Sequence, residues 1–438
     1  MDGSALKERI TGFDAEKEIE KKGCMIFFSA VIIVAALIFI LIGHNGEVIR
    51  DYFFYGDAIF NGILPYEPYN DMNWEYPPLA YLFLAIPRLF SSDPRGYQAA
   101  FIVMALIFTL IGLWIVRELS LKYEKNAKIM MSLYTLTVLM MIQFFFDRFD
   151  VIVAVFALAA VYLYLEKRYT WAFLLLVIGL FIKLYPGFMF PVFLIPFIAS
   201  RDIRAVLKHT GTFLVACVVL IIPFIIWSPD TFLTFVSYHS DRGIQIESTA
   251  ASIILFLEML GLTSVQTINE YWSFGLSGGL ADAVSPILMP LMIVMMGIFC
   301  IAYYVHCRKS DEDERFGSVA WASFALIMIF VVFNKVFSAQ YMVWLMMLVI
   351  PMMMFIDDRD MIRKVYLLFL ATIITTLYFG LLYHGLCYHE PFAVLMLFIR
   401  NILIVALMVF VIRHSKVLKG LTVVMRKRLG REAQQEEP

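Results

Sequence analysis

Charged side chains are scarce in this 438-residue chain. They make up 16% of it, against roughly 25% in an ordinary soluble domain. Acids and bases nearly cancel, at a net charge of −1. With no basic excess to meet a phosphate backbone, nucleic-acid binding is excluded. Cysteine is sparse too. Cys24, Cys217, Cys300, Cys307 and Cys387 stand apart with no CxxC pair, which excludes a disulfide framework and a structural zinc site. The seven histidines are dispersed and form no HExxH pattern, so a metal ligand set is not expected. The chain shows no internal repeat, no low-complexity linker and no second soluble domain.

What fills the chain instead is apolar. Hydrophobic residues reach 61% and the mean hydropathy is +0.81. A soluble core of this length has no room for that much apolar surface, so lipid must cover much of it. A soluble enzyme and a disordered protein are thereby excluded. The run 25–43 is long enough to span a bilayer. Its leader is long and carries acids as well as bases, with no small-x-small site after it, so it reads as a retained first span with a cytoplasmic N-terminus. Further spans read at about 98–117, 127–146, 150–166, 170–183, 185–199, 210–228, 286–306, 316–333, 341–356, 364–384 and 391–412. That makes about twelve crossings, with both termini on one side.

The charge bias agrees with this count. Arg117, Lys122, Lys125 and Lys128, then Lys167 and Arg168, then Arg201, Arg204 and Lys208 fall on the N-terminal side. So do Arg308, Lys309, Arg359, Arg363 and Lys364, and the basic tail from Arg413 to Arg431, as the positive-inside rule requires. Two apolar pieces, about 76–90 and 249–261, are too short to cross. They read as interfacial or re-entrant segments on the outer face. The expected fold is an all-α polytopic membrane protein. It has a cytoplasmic segment 1–24, a transmembrane body 25–412 and a basic cytoplasmic tail 413–438.

The polar residues gather on the outer side. The first outer loop, about 44–97, holds Asp51-Tyr-Phe-Phe-Tyr55-Gly-Asp57, Asn61-Gly62-Ile-Leu-Pro65-Tyr66-Glu67-Pro68-Tyr69 and Trp74-Glu75-Tyr76-Pro77-Pro78. Carboxylates at Asp51, Asp57, Glu67, Asp71 and Glu75 alternate with aromatic rings. Such a mixture suits sugars: rings stack on pyranose faces, and carboxylates bind hydroxyls or take a proton from one. An interfacial aromatic belt with solvated acids is the plainer reading. The rigid Pro65-Tyr66 and Tyr76-Pro77-Pro78 punctuation argues against it.

A second cluster is Asp147-Arg148-Phe149-Asp150, where Asp150 opens a helix and is equally a candidate N-cap. Lys183, in Lys183-Leu-Tyr185-Pro186, sits at the outer tip of a helical hairpin. There it is either functional or snorkelling to the interface. Two further outer segments follow: Tyr238-His239-Ser-Asp-Arg242-Gly-Ile-Gln245-Ile-Glu247-Ser248, and Asn334-Lys335-Val-Phe-Ser338-Ala-Gln340-Tyr341. Arg242 and Lys335 suit a phosphate, the first as a fork and the second as a point charge. Arg400 interrupts the last span and Glu258 lies in the second interfacial piece, both without an assigned role.

These motifs, in this order from about residue 25 to 412, resemble glycosyltransferase family 87. The resemblance implies a GT-C-like bundle acting as an inverting mannosyltransferase. The donor would be a polyprenyl-phosphate sugar, and the acceptor a glycolipid or glycan of the cell envelope. It further implies Asp51 as general base, with Asp57 and Glu75 in reserve. Ile49 replaces the upstream acid of the acidic-x-acidic pair often found in GT-C enzymes, so one carboxylate carries the role. Tyr55, Tyr66, Tyr76 and Glu67 would contact the acceptor. Lys183, Arg242 and Lys335 would hold the donor phosphate. Asp147, Asp150, His239, Gln245, Glu247, Ser338 and Gln340 would orient sugar or cations. No cofactor is required, and a weakly held Mg²⁺ is compatible with the scheme. A lipid-saccharide flippase is the main rival, although a transporter places ionisable residues at the midplane in repeated halves. A polysaccharide polymerase or ligase is the second.

Overall fold

Hydrocarbon offers backbone amides no hydrogen-bond partner, so apolar runs of this length must close their bonds internally as helices. A computed structural model describes residues 3–67, 74–232, 242–270, 273–355 and 359–413, and only the backbone of 3–22 and 359–366. Each of the twelve expected crossings coincides with a helix. Among the described residues, seven helical stretches are long and apolar enough to cross a bilayer: Gly23–Ile42, Pro94–Lys122, Ile203–Trp227, Gly279–Lys309, Glu312–Phe333, Leu367–Cys387 and Pro391–Arg413. The chain is a multi-pass membrane protein.

The other five expected crossings are shorter: Ala127–Met140, Asp150–Leu165, Tyr169–Ile182, Tyr185–Ser200 and Tyr341–Met353. At about 1.5 Å per residue they fall well short of a hydrocarbon core of about 30 Å. Two of them lie in the interior, while the other three keep exposed apolar side chains such as Ile129, Trp171 and Ile198. Asp150–Leu165 and Tyr341–Met353 are buried on nearly every side, as expected of helices that are apolar all round. The long Ile203–Trp227 and Gly279–Lys309 helices form an outer wall, turning Leu207, Val218, Ile226, Ile293 and Ile301 outward.

Local chemistry sets the helix ends. Asp93, Asn126, Asp202, Ser248 and Asp311 each accept backbone N–H groups as N-caps, and Pro94 occupies the first turn where its missing N–H is harmless. The two short pieces outside the crossings are helical as well, at Pro78–Ala85 and Thr249–Met259. One element has no counterpart in the sequence reading. A three-stranded antiparallel sheet is formed by β1 (Ile244–Gln245), β2 (Gln266–Glu270) and β3 (Ser273–Ser277), in the order β1-β3-β2. Strands this short leave little alternation to read.

The first loop is anchored by a residue distant in sequence. The buried Asp147 carboxylate accepts the Glu47 and Val48 N–H groups at 3.0 and 3.3 Å. It thereby caps the turn that carries Asp51 into the Phe53–Phe60 helix. Gly46 makes the approach possible, because a Cβ there would overlap the Asp147 carboxylate. Gly46→Ala should therefore destabilise the protein by about 2 kcal/mol. Gly211→Ala, in an exposed helix with nothing near its Cβ position, should be neutral or stabilising by up to about 1 kcal/mol. Thermal unfolding of both variants in detergent checks the contrast.

Candidate active site

The ends of the short inner helices meet at one level of the bundle. Asp150 starts one helix, Lys183 ends the next, and Tyr341 and Trp344 open a third. Lys183 Nζ donates to Asp150 Oδ1 at 2.8 Å, and Trp344 Nε1 donates to the same oxygen at 2.8 Å. The ammonium also lies 5.0 to 5.6 Å from the ring centres of Phe149, Trp344 and Tyr341, near enough for cation–π attraction. Tyr185, Trp344 and Tyr341 form a continuous stack at 4.1 and 3.8 Å. A buried Asp–Lys pair survives only when its partners are this well placed.

The segments around Arg242 and Lys335 are stitched into one unit. Gln245 N–H donates to the Lys335 carbonyl at 2.9 Å, and Phe337 N–H donates to Gln245 Oε1 at 2.9 Å. Gln245 Nε2 donates to Glu247 at 2.9 Å and to Ser338 Oγ at 3.0 Å. Gln245 thus uses both ends of its amide to hold the two segments in register. Arg242 reaches the Ser273 hydroxyl on β3. Lys335 is buried beside this junction. Gln340 lies at the N-terminal end of the Tyr341–Met353 helix.

Glu247 is buried, and burial pushes its carboxyl up to about 7 against the opposing pull of Arg400, Arg148, the Ala339 N–H and Arg242. Its carbonyl accepts from Arg400 and Asn401, fastening the segment to the Pro391–Arg413 helix. Arg400 lies 4.2 Å from the centre of the Phe337 ring. Arg148 pairs with Glu47 and is within electrostatic range of Asp150 and Glu247. Tyr341 is within range of Arg242, Asp150, Glu247 and Glu75. The structure therefore brings the Asp147–Asp150, Lys183, 242–248 and 334–341 motifs together.

The first loop is divided. Asp51 is 25% exposed, and among the described residues it bonds only its neighbour Arg50, at 3.1 Å, whose side chain is 68% exposed. Burial pushes the Asp147 carboxyl up to about 6, and Asp51 lies within electrostatic range of it. Ile49 and Arg50 line an open cavity of about 490 Å³ with Asn45, Gly46, Phe53, Phe54 and Pro94. Asp57, by contrast, is clamped by Arg88 at 2.9 Å and Asn61 at 3.0 Å. Glu67 accepts the Leu64 N–H at 3.0 Å.

The rings expected to face an acceptor pack on each other. Tyr55, Tyr66, Trp74, Tyr76 and Tyr81 form one knot. It is tied by Tyr66 Oη donating to the Tyr76 carbonyl and Tyr76 N–H donating to Tyr81 Oη, both at 2.8 Å. Tyr55 and Tyr66 are buried, so these two rings shape the loop from within. Glu75 borders the knot, within range of Tyr52, Tyr55 and Tyr76. Asp71 and His239 lie outside the described residues. Sequence reasoning left Arg148, Arg400 and Trp344 without roles. For Arg400 the signal was present, since a lone charge inside an apolar span marks a functional position.

Two outcomes follow. Lys183→Met should cost about 3–5 kcal/mol by leaving Asp150 buried and unpaired, and adding Asp150→Asn should recover part of that loss. Denaturation of the single and double variants measures the coupling. Because Glu247 carries a folded-state pKa above its unfolded value, the native protein holds more protons, and stability falls as pH rises through that window. The thermal midpoint of Glu247→Gln should depend less steeply on pH than that of the wild type between about pH 5 and 7.5.

The model of glycosyltransferase family 87 matches residues 74–332. Searches of curated proteins and of solved structures return no match. The matched residues take in Glu75, Asp147, Asp150, Lys183 and the 242–248 segment, while Asp51, Lys335 and Arg400 lie beyond them. Spanning more than half of the chain, the match establishes that it belongs to glycosyltransferase family 87.

Proposed function

We propose that this glycosyltransferase has the GT-C architecture and moves a hexose, mannose by family default, from a polyprenyl-phosphate donor. The acceptor is a lipid-linked or cell-envelope glycan at the outer membrane face. In this reading residues 25–412 form the catalytic body, and both termini are cytoplasmic. The observation that carries the reading is the contrast among carboxylates. Asp57, Glu67, Asp147 and Asp150 are engaged by buried or local donors, whereas among the described residues Asp51 is held only by an exposed arginine. A base must be able to exchange such a partner for an incoming hydroxyl.

In the reaction, the acceptor oxygen attacks the anomeric carbon from the face opposite the phosphate and gives its proton to Asp51. The bond from the anomeric carbon to the phosphate oxygen breaks, and its electron pair leaves on the lipid phosphate. The configuration inverts through an oxocarbenium-like state. The phosphate is already a good leaving anion, so cationic stabilisation matters more than protonation. Arg242 and Lys335 remain suited to that role. Lys183 is committed to Asp150 and is better placed to hold the site's shape.

Purified protein, a panel of radiolabelled polyprenyl-phosphate sugars and membrane lipid extract test the proposal. The wild type should transfer one sugar. Asp51→Asn should lose a factor of about 10²–10⁴ in rate while keeping its unfolding profile. Full activity in Asp51→Asn would move the base elsewhere, with Glu75 the next candidate.

A further inference from the structure

Six of the thirteen buried side-chain polar atoms that lack a partner among the described residues gather in one place. Arg148 Nε, Arg400 Nε and Nη1, Glu247 Oε1, Asn401 Oδ1 and Tyr378 Oη lack hydrogen bonds among the described residues. All belong to groups tied to Glu247. Arg148, Arg400 and Tyr378 are within electrostatic range of it, and Asn401 donates to its carbonyl. Arg400 is 1% exposed. A buried guanidinium nitrogen without an acceptor is costly unless something fills the place.

The charge count points the same way. Three guanidiniums, Arg148, Arg242 and Arg400, face Glu247. Among the described residues the carboxylates opposing them are Glu247 itself and Glu47, which pairs with Arg148. Asp150 is answered by Lys183. Among the described residues the cluster therefore carries surplus positive charge that is largely shielded from water, and such shielding strengthens Coulomb attraction. Arginine also offers the planar fork that matches phosphate oxygens.

We propose that Arg148, Arg242 and Arg400 form a subsite for a lipid phosphate monoester, and that Glu247 is the counterweight that keeps this product from being retained. The inference rests on the transferase reading. The donor is a phosphodiester with one negative charge, and the lipid product is a monoester with up to two at neutral pH. A cationic site holds the product more tightly than the donor. An ionised Glu247 weakens both, and the product more.

Purified full-length protein in nanodiscs is titrated with farnesyl monophosphate, methyl farnesyl phosphate diester and inorganic phosphate, and binding is read from ligand-induced thermal stabilisation. The monoester should bind at least tenfold more tightly than the diester. Inorganic phosphate should compete with it if the headgroup alone is recognised. Arg400→Lys and Arg148→Gln should weaken monoester binding at least tenfold. Glu247→Gln, nearly the same shape, should strengthen it several-fold at about pH 8. Equal affinity for monoester and diester, or Arg148→Gln that folds and binds like wild type, would overturn the proposal. If the arginine variants fail to fold, unchanged affinity in Glu247→Gln overturns it alone. No step of this test requires turnover. Monoester binding without sugar transfer would contradict the proposed activity and leave the subsite standing, and transfer without preferential monoester binding would do the reverse.

Discussion

The fold depends on a single constraint: a charge removed from water, with lipid around the protein, must find its partner inside it. The chain meets this by making five of its apolar helices too short to cross on their own. Two of them bring their ionisable ends together, Asp150 at the start of one and Lys183 at the end of the next. Asp150, Lys183 and Trp344 come from three different helices and share one carboxylate oxygen. Around that point the aromatic stack of Tyr185, Trp344 and Tyr341 keeps solvent out. Pairing so demanding of geometry specifies which helix ends must meet, and so organises the interior around the site.

The 242–248 and 335–341 segments extend the same logic. Gln245 holds the 242–248 segment against 335–341 through backbone and side chain together. Arg400 and Asn401 then fasten that unit to the last helix. The first loop is positioned independently, by Asp147 and by the aromatic knot. Asp51 thus stands on one supported element, and the cationic groups stand on another. The proposed transfer would use that separation, with a base on one side of the reacting carbon and the leaving group's cations on the other.

Much of this was legible in the residues. Each of the twelve apolar runs fell on a helix, because length and hydropathy leave a chain in lipid few alternatives. The motifs that meet in the site were also visible as polar islands between spans. Pairing was less accessible, because it is tertiary. Nothing local to Lys183 says that Asp150 will take its charge, or that Asp57 will be clamped by Arg88. The Tyr55 and Tyr66 rings read as sugar platforms because their composition suits one, yet they pack into their own loop. Arg400 was noticed and left without a role. Its acceptor is a backbone carbonyl about 150 residues away, and side-chain composition carries no trace of such a contact.

The central claim is that Asp51 and the arginines around Glu247 flank one reacting centre. A cryo-electron microscopy structure with a non-hydrolysable short-chain lipid-phosphate sugar tests it most directly. The account predicts the phosphate against Arg242, with the anomeric carbon on the side of Asp51. Sugar density at the opposite end of the bundle, or a phosphate held away from all three arginines, would contradict it.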